Sequence, residues 1–134
     1  MSKDWVKDIA EMHEKFGVNQ VVRNMDIEKL LSFLEFRLAF LQEELTEAEN
    51  SPEPEDLVDA MIDFCVVAIG TLNAFDVDPY LAWDRVHTKN MEKEPGIKPE
   101  RPNPLGLPDL IKPAGWTAPS HADNVGLLAK LNEV

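Results

Sequence analysis

The chain has 134 residues, 44% apolar and 28% charged, with a net charge of −12 and one cysteine. A single domain of that length buries roughly two thirds of its unfolded surface. The acidity argues against a nucleic-acid backbone or an anionic membrane as partner, because both are held by Lys and Arg. Cys65 alone allows no internal disulfide and suits a reducing compartment.

The opening "MSKDWVKDIAEMHEKFG" lacks the apolar core of a signal peptide. No run reaches the roughly 18 apolar residues of a membrane span, since Asp63 interrupts the best one. The expectation is a cytoplasmic protein with no membrane partner.

Four helices and no strand are predicted. Residues 3 to 16 place Trp5, Ile9, Met12 and Phe16 at helical spacing, with Gly17 as a stop. Asp26 caps a long helix to about Glu49. The prolines of "NSPEPED" break the chain, and a third helix runs from about Pro54 to Phe75. Asp78 and Pro79 start a fourth that reaches about Lys93. Residues 95 to 119 then hold seven of the ten prolines and three of the six glycines, the composition of an extended segment. Leu105, Leu107, Leu110, Ile111 and Trp116 within it predict that it wraps over the helical body. Residues 121 to 134 suggest a short terminal helix. The fold class expected is all-α: one domain with a four-helix-bundle-like core over about 3–93 and a Pro-rich C-terminal segment over 94–134.

The long helix shows two apolar stripes. Leu30, Leu34, Leu38, Leu41 and Leu45 fall within about 80° of one another. Phe33, Phe36 and Phe40 form a second stripe, which continues into Glu43, Glu44 and Glu47, with Arg37 on its border. On the next helix Asp56, Asp59 and Asp63 lie within about 60°. Their face continues with the small residues Val67, Gly70 and Ala74. From Ala60 to Phe75 only Asp63, Thr71 and Asn73 are polar, which predicts a helix buried nearly all round.

Acidic helix faces are commonly no more than solvated surface, but an ionised Asp63 inside an apolar run needs a compensating partner. Like charges three or four apart repel, and hard oxygen-ligand cations such as Mg²⁺ relieve that repulsion. Carboxylates on facing helices are a common way to build such a site. Asp63 is therefore read as a metal ligand, alongside Glu43, Glu44, Glu47 and either Asp56 or Asp59, with Asp59 favoured. His87 and Trp83 are read as packing residues. Phe33, Phe36 and Phe40 are read first as core.

"EELTEAE" followed by "DAMIDFCVVAIGTLNAFDVD" resembles the MazG-like and phosphoribosyl-ATP-pyrophosphohydrolase-like all-α nucleotide pyrophosphohydrolases, whose motif is EExxE on one helix and ExxD on the next. The first half matches in full at Glu43, Glu44 and Glu47. In the second half Asp63 stands at the motif's Asp, with Ala60 three residues before it and Asp59 four before; Asp56 and Asp59 offer the spacing in another register. The resemblance implies a helical bundle that dimerises or forms a tetramer. It also implies hydrolysis of nucleoside triphosphates to monophosphate and pyrophosphate with Mg²⁺, Mn²⁺ being an alternative ion. Glu43 or Glu44 is the expected base. Asn90 and Lys93 fall at substrate-facing positions, with Arg37, His13 and Phe40 as further substrate contacts. Phosphoribosyl-ATP as the substrate and a non-enzymatic acidic divalent-ion binder are the competing readings.

Overall fold

The computed structural model describes residues 1–101, 105–106 and 109–133; Leu107 lies outside them. The described residues form five α-helices, one 3₁₀ helix over Gly126–Glu133 and a two-stranded hairpin: an all-α fold. Two compact units arise, Met1–Pro79 with Asn124–Val134, and Tyr80–Asp123.

In the first unit, α1 (Trp5–Phe16) begins where Asp4 accepts a hydrogen bond from the Lys7 amide. It ends at Gly17, whose left-handed φ of 70° turns its N–H back to the carbonyls of His13 and Glu14. A further short helix, α2 (Val18–Arg23), follows. It was not predicted, because six residues hold too little periodic pattern. Asp26 caps α3 (Ile27–Glu49) through the Lys29 amide, and Pro54 opens α4 (Pro54–Ala74).

The core gathers Val22, Leu30, Ala74, Phe75 and Val77, with Phe33, Leu34 and Leu72 against it. Phe33 meets Phe75 at 5.5 Å between ring centroids. The 3₁₀ helix joins this core through Leu127, Leu128 and Leu131. Its entry needs glycine, since a Cβ on Gly126 (φ +52°) would overlap the Phe75 carbonyl oxygen.

Burial corrects three expectations about helix faces. The two stripes of α3 flank one inward face, on which Leu30, Phe33, Leu34, Arg37, Leu41 and Glu44 fall within about 100°. All six are buried or half-buried, whereas Leu31, Leu38, Leu45 and Phe36 on the flanks are exposed. Nor is α4 buried all round. Ala60, Val67, Gly70 and Ala74 are buried, but Leu57, Val58, Met61 and Ile62 on the other side are exposed. In α1 only Ile9 of the expected apolar positions is buried, and Trp5 and Phe16 stand open. At 21 residues, α4 is long and apolar enough to cross a membrane by length and composition alone, contrary to the reading that Asp63 interrupts such a run; an inner helix of a soluble bundle meets the same criteria.

In the second unit, α5 (Pro79–Met91) is followed by β1 (Glu94–Gly96) and β2 (Asp109–Ile111). The strands pair antiparallel, Glu94 opposite Ile111 and Gly96 opposite Asp109. A Cβ on Gly96 would collide with the Ile111 side chain. The segment after β2 returns to α5. Trp116 donates its indole N–H to the Lys89 carbonyl at 3.0 Å, and Arg85 grips Asp123 with two bonds of 2.6 and 2.9 Å. His87 and Trp83 are exposed, so they are not packing residues within this chain.

Candidate active site

The carboxylates that the sequence singles out sit where α3 and α4, the most extensively packed pair of helices, run side by side. Glu44 is on the inward face of α3 and only 7% exposed. Its Oε2 is buried without a hydrogen-bond partner among the described residues. Burial raises its proton affinity, and the negative charges of Glu47 and Asp63, a hydrogen bond with Glu47 and the charge of Glu43 raise it further. Asp63 is half-buried, and none of the described Lys or Arg residues forms an ion pair with it.

A second grouping lies one turn nearer the α3–α4 connection. Glu47 and both Asp56 and Asp59 line an open pocket of about 290 Å³ with Asn50, Ser51 and Pro52. The carboxylates therefore stand as two groups sharing Glu47: Glu43, Glu44 and Asp63 on one side, Asp56 and Asp59 on the other. Among the described residues no three His, Cys, Asp or Glu side chains are gathered into a ready metal cage. The donor set nevertheless suits a hard divalent cation, being all carboxylate oxygen on facing helices, with one buried oxygen still lacking a partner.

Arg37 lies on the inward face of α3, two turns before Glu44. Its Nε donates to Thr71 Oγ1 at 2.9 Å and its Nη2 to the Val67 carbonyl at 2.8 Å. Burial lowers its proton affinity, and the guanidinium carbon lies 5.7 Å from the Phe40 ring centre. No carboxylate among the described residues pairs with it. Phe40 itself is half-buried and meets the exposed Phe36 edge-on at 6.2 Å.

His13, on α1, is 4% exposed. Its Nδ1 contacts Asn73 Oδ1 at 2.9 Å and Asn19 Oδ1 at 3.2 Å, and Asn19 Nδ2 donates to Asn73 Oδ1 at 3.1 Å. Burial lowers the imidazole pKa below 6.5; the hydrogen bonds to Asn73 and Asn19 oppose this, and the charge of Arg37 adds to it. Sequence reasoning missed Asn19, Thr71 and Asn73 as parts of this site. The available signal was that Thr71 and Asn73 interrupt the apolar run of α4, as Asp63 does.

Asn90 and Lys93 belong to the second unit, with Asn90 exposed near the end of α5. The Lys93 ammonium stands 5.4 Å from the Trp116 ring centre and that of Lys112 stands 5.2 Å from it.

Residues 10–90 match the phosphoribosyl-ATP pyrophosphohydrolase family, a stretch that includes α3, α4 and every carboxylate of the two groups between them. No curated protein and no solved structure matches the chain. The family supports pyrophosphohydrolase activity on an acid anhydride. With its motif residues on facing stretches of α3 and α4, the chain belongs to the phosphoribosyl-ATP pyrophosphohydrolase family, within the MazG-like all-α NTP pyrophosphohydrolase superfamily.

Proposed function

We propose that this protein is a Mg²⁺-dependent nucleoside triphosphate pyrophosphohydrolase, converting (d)NTP to (d)NMP and pyrophosphate. The observation that carries the reading is Glu44: a buried carboxylate with a partnerless oxygen, crowded by Glu43, Glu47 and Asp63. Such crowding weakens a fold unless a cation relieves it. Glu43, Glu44, Glu47, Asp59 and Asp63 would hold Mg²⁺, or Mn²⁺ in its place. When bound, the ion supplies charge stabilisation at phosphate oxygens and acidifies a bound water.

The remaining work falls to positioning, as phosphoryl chemistry asks. Glu44 or Glu43 accepts a proton from the attacking water. Arg37 presents its unused donors to the phosphate chain, and Phe40 beside it offers an apolar ring surface to the rest of the substrate. Asn90 and Lys93 are further phosphate contacts on the family resemblance. The protein acts in the cytoplasm as a homodimer or homotetramer. The apolar flanks left open on α3 and α4, at Leu31, Leu38, Leu45, Leu57, Val58, Met61 and Ile62, support that assembly.

Phosphoribosyl-ATP is the second reading, because the matching family carries that name. Pyrophosphate release measured over a panel of ribo- and deoxyribonucleoside triphosphates plus phosphoribosyl-ATP, in Mg²⁺ and in chelator, separates the two. Turnover confined to phosphoribosyl-ATP would replace the first reading with the second. No Mg²⁺-dependent release from any member would leave only an acidic, non-enzymatic ion binder.

A further inference from the structure

We propose that Lys93 and Lys112, both set against the Trp116 ring, form an oxyanion site in the second unit that takes a condensed phosphate, either free pyrophosphate or the phosphate tail of a nucleotide. The choice of a condensed phosphate rests on the pyrophosphohydrolase reading above; the geometry of the site does not.

The local sequence builds it. Residues 113–116 make a turn in which the Trp116 amide donates to the Pro113 carbonyl at 3.0 Å and Gly115 takes a left-handed φ of 78°. The turn brings Trp116 back over Lys112, whose ammonium lies 5.2 Å from the ring centre. The indole N–H donates to the Lys89 carbonyl at 3.0 Å, which fixes the ring beside the last turn of α5. Lys93, just past the end of α5, holds its ammonium 5.4 Å from the same ring centre. Lys112 is exposed, and Lys93 and Trp116 are half-buried, so ions in solution reach the site.

The hairpin register sets the two lysines against each other. Glu94 pairs with Ile111, and one further step of the same antiparallel register puts Lys93 opposite Lys112. Like charges directly opposite across a strand pair are destabilising. The face of the shared indole attracts each cation, but it leaves their mutual repulsion in place.

No carboxylate relieves it. Arg85, Lys89 and Arg101 of the same unit pair with Asp123, Glu92 and Asp109, whereas neither Lys93 nor Lys112 forms an ion pair among the described residues. In a chain with 25 Asp and Glu, two cations held on one ring without a counterion mark a place for an anion that arrives. Ammonium groups bind phosphate as point charges, and a pair of them suits an anion whose charge is spread over more than one phosphoryl group. The surrounding unit does not repel such an anion, since residues 80–123 hold six Lys and Arg against six Asp and Glu. Lys112 and Trp116 lie beyond the residues 10–90 that match the family, so the match does not account for them.

The test uses the full chain in chelator at low salt, where the carboxylates of α3 and α4 have no Mg²⁺ through which to recruit phosphate. The indole N–H signals of Trp5, Trp83 and Trp116 are followed by NMR during titration with inorganic pyrophosphate, the Trp116 signal being assigned by its loss in Trp116→Phe. That signal should shift and saturate while those of Trp5 and Trp83 hold still. Lys93→Gln and Lys112→Gln should each weaken the fitted affinity about tenfold or more, as expected for a lost charge-assisted hydrogen bond. A Trp116 signal unmoved by millimolar pyrophosphate, wild-type affinity in both lysine variants, or an equal response to sodium sulfate at the same ionic strength overturns the proposal. An α,β-methylene nucleoside triphosphate then identifies the source: a matching Trp116 shift assigns the site to the tail of a nucleotide, and a shift with pyrophosphate alone assigns it to the free ion. No arm involves hydrolysis, so a nucleotide panel without turnover would overturn the function proposed above while the Trp116 signal still decides this site.

Discussion

The two units differ in how much of their charge is left unpaired. Residues 1–79 and 124–134 hold seven Lys and Arg against nineteen Asp and Glu, whereas residues 80–123 hold six of each. The whole net charge of −12 therefore belongs to the first unit. In the second, basic groups meet acidic ones directly: Arg85 with Asp123, Arg101 with Asp109 and Lys89 with Glu92. The first also has such a pair, Arg23 with Asp76, but the carboxylates of α3 and α4 are left facing one another and Arg37 is left without a counterion among the described residues. Charges paired within the chain hold segments together, while charges left unpaired at partly buried positions are available to an incoming ion or substrate.

The largest expected effect tests the unpaired side. Glu44→Gln removes the buried negative charge while keeping the shape. Pyrophosphate release should fall roughly 10²–10⁴-fold, the range for losing a general base, while the melting temperature in chelator holds or rises. A variant that melts lower and still turns over would make Glu44 structural, like the acids of the second unit.

Two left-handed glycines compare the units by strain. Gly126 has φ +52° and no room for a Cβ beside Phe75, whereas Gly115 has φ +78° with open space around it. Gly126→Ala should cost roughly 3 kcal/mol or more, conformational strain plus overlap. Gly115→Ala should cost about 1–2 kcal/mol, the strain alone. Denaturant melts of both variants would check this, and equal losses would deny the close seat of the 3₁₀ helix on the core.

Smaller effects appear with pH. The folded pKa of His13 lies below 6.5, so the unfolded chain binds the extra proton. Stability should therefore fall as pH drops through 6.5 toward the folded value, and His13→Asn should flatten that slope. In the second unit, the hydrogen bonds of Arg85 hold Asp123 down to about 2, and those of Arg101 hold Asp109 below 3.8. Their contribution is complete above pH 3.8 and is lost as the pH falls toward 2. Carboxyl-carbon NMR titration of Asp123 against an exposed aspartate reads this directly, and coincident midpoints would remove the pair.

Helix existence was legible where caps and periodicity agree, as in Asp26 with α3 and Pro54 with α4. Short elements were not. Neither α2 nor the hairpin at Glu94–Gly96 and Asp109–Ile111 is long enough for a pattern. Within the site, the grouping of Glu43, Glu44 and Glu47 followed from helical spacing and that of Asp63 from its apolar surroundings. Periodicity could not say which face of α3 turns inward, because the buried stripe runs between the two apolar ones. Nor could it foresee that Asp56 and Asp59 gather around Glu47 while Asp63 approaches Glu44, since that depends on how α4 slides against α3.

The excess charge of the first unit is proposed to hold a divalent cation. Melting of the wild type and of Asp63→Asn, each in chelator and in millimolar Mg²⁺, tests it most directly. A cation at a hundredfold excess over its Kd stabilises by about 2.7 kcal/mol. The wild type should therefore melt several degrees higher in Mg²⁺, while Asp63→Asn melts no lower than wild type in chelator and gains little from the ion. A wild-type melting temperature that is the same in chelator and in Mg²⁺ would contradict the claim.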